Sequence, residues 1–82
     1  MTNLSGYLVA AAWDDCECPL RFLPTEADAL EYAHSVTREE AREAERGIVG
    51  KYPLSIDAVE IMILEFSAGV PVGTWRVVRV IE

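Results

Sequence analysis

The residues whose types and spacing could do chemistry are Asp14-Asp15-Cys16-Glu17-Cys18-Pro19. Two thiolates one residue apart, Cys16 and Cys18, with Asp14 as a carboxylate beside them, form a candidate site for zinc or a softer ion. A structural zinc site takes four ligands, usually from two pairs, and this chain offers no second pair. The plainer account is an acidic loop whose cysteines pack as small apolar residues, and it outweighs the metal site. A redox dithiol is weaker again, because the familiar spacing has two intervening residues and a ring closed over one is strained.

The single histidine, His34, falls on the apolar stripe of an expected helix. A general base needs a nucleophile or acid partner in reach. Ser35 points elsewhere on that helix, and Ser5, Ser55 and Ser67 sit in no nucleophile setting. A partly buried, hydrogen-bonded histidine accounts for it better. Gly47, Gly50, Gly69 and Gly73 serve as helix-end or turn residues and not as a phosphate loop. No catalytic residue and no cofactor is therefore assigned, and the protein is expected not to be an enzyme.

Charge narrows the partners. Fourteen acidic and seven basic residues leave a formal charge of −7, which repels a phosphate backbone and an anionic membrane surface. Arg38, Arg42 and Arg46 share a helical edge but alternate with Glu39, Glu43 and Glu45. Arg76 and Arg79 lie on the last strand, and Glu60 and Glu65 on its neighbour are positioned to offset them, although no single regular register pairs both. The arginines also interrupt the unbroken acidic surface that a DNA mimic needs.

These residues must be held by a small set of elements. Gly6–Trp13 is an expected strand with Tyr7, Val9, Ala11 and Trp13 on one face and Leu8, Ala10 and Ala12 on the other. Asp14 to Pro24 is expected as a loop whose Leu20, Phe22 and Leu23 tuck back onto the core. Thr25-Glu26-Ala27-Asp28 marks a helix start, with Thr25 as cap and two acids at the positive end of the dipole. Ala27, Leu30, Ala33, His34, Thr37, Ala41, Ala44 and Ile48 then fall within one helical stripe, with Tyr32 and Val36 off it. Thr37-Arg38-Glu39-Glu40 is a second capping-box pattern. One helix with room for a kink near Ser35 is favoured over two short ones, because the stripe runs through the junction.

The last third carries the strongest pattern. Val59–Phe66 and Thr74–Ile81 are apolar on both side-chain parities, with a turn between them at Ser67–Gly73. A strand open to water on one side alternates apolar with polar, so this hairpin needs cover on both faces. One helix covers only one of them. Trp13, Trp75, Met62, Phe66 and Val78 are the candidate contact residues for a partner, since aromatic anchors dominate interface energies.

The chain is one domain, 1–82, large enough to bury roughly 60–65% of its unfolded surface. With 51% hydrophobic residues it has ample material for a core. The expected fold is α+β: strand-helix-strand-strand, a three-stranded mixed sheet with the helical segment on one face. The long connection between its first two strands allows a right-handed crossover, making them parallel. The Leu8–Trp13 stretch is too short to span a bilayer and follows no basic residue, so a reduced, cytoplasmic setting is expected. The leading functional expectation is a non-enzymatic interaction module, homodimeric through its apolar sheet face. Regulation or inhibition of a basic protein, in the manner of an antitoxin or mimic, is the alternative. A thiol- or metal-dependent site on the Asp14–Cys18 loop comes third.

Overall fold

The structure, a computed structural model, describes residues 5–13, 16–37, 39–41 and 58–81, with the side chains of Trp13 and Cys16 outside that description. The elements are β1 (Gly6–Trp13), β2 (Cys16–Leu23), α1 (Glu26–Ser35), β3 (Val59–Ser67) and β4 (Val70–Ile81). The strands form one antiparallel sheet in the order β2-β1-β3-β4. The fold is α+β as expected, but the sheet has four strands and is not mixed.

The extra strand is the segment expected as a loop. Cys18 and Leu23 are buried on the side of α1, and Leu20 packs against the same cluster, while Glu17 and Pro19 are exposed. An edge strand hydrogen-bonds on one side only, so it tolerates Pro19. The register passes from Val9↔Arg21 to Ala10↔Pro19, leaving Leu20 as the extra residue of a bulge.

With β2 inserted, the chain has already turned back before the helix. The crossover therefore starts at Leu23, beside Tyr7, and returns at Val59, near the Trp13 end of β1. It makes β3 run in the direction of β2, with β1 between them and antiparallel to both. The expected parallel pairing of β1 with β3 is thus corrected.

Thr25 caps α1: the Asp28 N–H donates to Thr25 Oγ1 at 3.1 Å. The helix ends at Ser35, and Val36 is extended at ψ 133°. The second capping box is formed, with the Glu40 N–H donating to Thr37 Oγ1 at 3.1 Å and the Thr37 N–H to Glu40 Oε2 at 3.3 Å. Residues 39–41 are helical again. The irregularity thus falls where a kink was expected, near Ser35, but as a break at Val36 followed by a capped restart.

The break also resets the buried stripe. Ala29, Ala33, Val36 and Ala41 are fully buried, with Leu30 and Tyr32 packed beside them, whereas Ala27, His34 and Thr37 are exposed. Extended backbone at Val36 sets its side chain in the core, while of the expected stripe Ala33 and Ala41 are buried and Leu30 packs beside them. Small alanines let α1 lie close to Val9, Ala11, Ile61 and Ile63 on the sheet.

The β3–β4 hairpin is tighter than expected. Its turn is Ala68-Gly69, with φ of 52° and 81°, and Val70 already belongs to β4. Two consecutive positive φ values match the type I′ turn that suits the twist of paired strands.

Candidate functional site

Strand registers divide the side chains between two faces. Tyr7, Val9, Ala11, Val59, Ile61 and Ile63 face α1. Leu8, Ala10, Met62, Leu64 and Phe66 take the other parity and face away from it. Ala10, Met62 and Leu64 are only 1%, 7% and 8% exposed, although no described element is layered on that side.

The rim is apolar and reachable. Phe22, paired with Leu8, is 38% exposed; Val77, paired with Met62, is 46%; Val80, paired with Glu60, is 49%. The Phe22 and Phe66 rings meet edge-to-face with centroids 5.9 Å apart. They meet across Gly6, where a Cβ would lie 2.5 Å from the Leu23 carbonyl and 2.7 Å from the Phe22 ring. Glycine in that position lets one aromatic on each flanking strand close over β1. Trp75 is half-buried between Thr74 and Arg76, which line the α1 side, so alternation sets it on the opposite face. Glu17 and Glu60, both partners of Ala12, make the far end of this face acidic.

The expected contact residues are thus brought together only in part. Met62, Phe66 and Trp75 share the face opposite α1. Val78 does not: it is the extra residue between Met62↔Val77 and Ile61↔Arg79, and it packs against the α1-side cluster. The Trp13 side chain lies outside the described residues. Phe22, expected to tuck onto the core with Leu20 and Leu23, is instead exposed on this face, and Val77 and Val80 were not among the expected contact residues. The signal for Phe22 was Gly6, a glycine inside a strand, which points to a close approach.

The expected chemical residues are described only in part. Asp14 and the Cys16 side chain lie outside the described residues. Cys18 is 2% exposed within the α1-side core, its Sγ 3.9 Å from the Pro19 carbonyl oxygen. Among the described residues, no group of three or more His, Cys, Asp or Glu could hold a metal ion. His34, expected on the core stripe and partly buried, is exposed. Arg38, Arg42 and Arg46 are outside the described residues.

Arg76 and Arg79 face α1, the side that Glu65 shares and Glu60 does not. Arg76 Nη2 binds Glu26 Oε2 at 2.7 Å. Arg79 Nη1 lies 2.8–3.1 Å from the carbonyl oxygens of Ala33, His34 and Val36. It donates to carbonyls that a helix end leaves without intrahelical partners, and its charge suits the negative end of the dipole.

Beside the Arg76–Glu26 pair is a cleft of about 110 Å³ lined by Tyr7, Glu26, Glu65, Thr74 and Arg76. Partial burial pushes the Tyr7 phenol above its ordinary 10.0; the carboxylates of Glu65 and Glu26 add to this and Arg76 opposes it. That phenol is protonated near neutrality and Arg76 is already paired, so the cleft holds no evident nucleophile with its base.

No protein-family model matches this chain, and neither the curated proteins nor the solved structures give a significant match. No described helix is long and apolar enough to cross a membrane.

Proposed function

We propose that the protein is a non-enzymatic interaction module that forms a homodimer through the sheet face opposite α1. The observation that carries this proposal is the apolar continuity of that face: Ala10, Met62 and Leu64 at its centre, Phe22, Phe66, Trp75, Val77 and Val80 around them. Its centre is buried and its exposed part is the apolar rim of Phe22, Val77 and Val80; exposed apolar surface on a small protein marks an association site. A second copy suits the charges, because an antiparallel stack keeps each copy's Glu17 and Glu60 at opposite ends. A reduced, cytoplasmic setting belongs to the same proposal and rests on the two closely spaced cysteines and the acidic composition.

The test is sedimentation of Val77→Asp combined with Val80→Asp. Both side chains sit on the outer strand and are about half exposed, so the fold tolerates the change while a carboxylate blocks the interface. Conversion of a dimer to a monomer with unchanged circular dichroism supports the proposal. A dimer that survives both substitutions overturns it. The second functional reading, regulation of a basic protein, draws support from Glu17 and Glu60 on this face and the charge of −7. It predicts a monomer whose face is filled by a basic partner.

A further inference from the structure

The opposite edge of the sheet carries a separate opening. β2 is the terminal strand, and among the described residues nothing pairs with its outer side. A groove of about 580 Å³ runs between that edge and α1, bounded by Arg21, Leu23, Asp28, Glu31 and Tyr32. Its floor is apolar where Leu23 and Tyr32 meet. Arg21 lies over the Tyr32 ring, its guanidinium carbon 5.5 Å from the ring centroid, so this cation is spread against an aromatic face. Asp28 and Glu31 stand exposed on the helix wall.

We propose that this groove takes an extended basic peptide segment of another protein, which adds to β2 as a fifth strand. An unpaired edge offers backbone donors and acceptors to such a segment, and the adjoining helix supplies side-chain selection. Alternate residues of the added strand point toward α1. Of these, an apolar side chain meets Leu23 and Tyr32, and a lysine or arginine reaches Asp28 or Glu31. The charge of −7 attracts a cationic segment at long range. Pro19 and Pro24 both lack an N–H, so the donors this edge offers beside the groove come from Leu20–Leu23.

The probe is a fluorescent hexapeptide of alternating lysine and valine, with a glutamate–valine hexapeptide as control. Anisotropy should show saturable binding of the basic peptide only, weakening as salt is raised. Its amide shifts should map to residues 20–23 and 28–35. Glu31→Lys with Asp28→Asn should weaken binding about tenfold or more, while Val77→Asp on the other face leaves it unchanged. No saturable binding at millimolar peptide, equal binding of the acidic peptide, or shifts confined to β4 would each overturn the proposal. So would residues 20–23 already being protected by pairing with a second copy or another part of this chain.

Discussion

Phe22 on β2 and Phe66 on β3 are separated by a whole strand, yet their rings pack edge-to-face at 5.9 Å because β1 offers only Gly6 between them. Aromatic contact, strand spacing and glycine are thus one feature. It also forms one end of the apolar face opposite α1.

Gly6→Ala should therefore be destabilising. Its Cβ would sit 2.5 Å from a backbone oxygen, which cannot move as a side chain can. Overpacking of this kind typically costs about 1–3 kcal/mol, read as a lower urea midpoint. A double-mutant cycle on Phe22→Leu and Phe66→Leu should give a coupling of about 0.5–1.5 kcal/mol. Additive single effects would mean that the rings do not interact.

The hairpin turn places a non-glycine residue, Ala68, at φ 52°. Asparagine tolerates the left-handed region better than alanine, and Asn-Gly is the favoured type I′ pair. Ala68→Asn should raise stability by about 0.5–1 kcal/mol without altering the β3–β4 register. Thermal unfolding measures this.

Arg79 holds the end of α1 through three carbonyls. Arg79→Met keeps most of the side chain's apolar stem and removes the donors. The expected loss is about 1–3 kcal/mol, accompanied by faster amide exchange in the last turn of α1. Unchanged exchange there would mean that Arg79 does not hold the helix end.

Tyr7 and Tyr32 give the protein an alkaline limit. Burial is the larger cause of the upward shift in both; nearby carboxylates, Glu65 and Glu26 for Tyr7 and Glu40 for Tyr32, add to it. A group whose folded value is raised contributes stability that is complete below its unfolded value of 10.0 and is lost as pH rises through the folded value. Tyr7→Phe with Tyr32→Phe should flatten the decline in urea midpoint above pH 10, within the limits set by lysine titration.

Much of this architecture was legible in the residues. Thr25 capped the helix as its position implied, and Val59–Phe66 buried both parities. The second capping box at Thr37 was visible too, but a continuous stripe outweighed it. That stripe held at Leu30, Ala33 and Ala41 but not at Ala27, His34 and Thr37, and Val36, which lay off it, is in the core. β2 was hidden for a physical reason: an edge strand can carry Glu17, Pro19 and Arg21, and its bulge at Leu20 destroys simple alternation. Missing β2 also made the crossover look parallel. In the candidate site, the central residues Met62 and Phe66 could be read from one strand. Phe22, Val77 and Val80 needed the register, and Val78 was displaced by a bulge that no local pattern marks.

The central claim is that the face opposite α1 is closed by a second copy. Light scattering of the reduced, unmodified protein over a wide concentration range tests it most directly. A mass of about twice 9.1 kDa, constant on dilution through the micromolar range, is the expected result. A 9.1 kDa species at every concentration would contradict the homodimer and leave the face to a different partner.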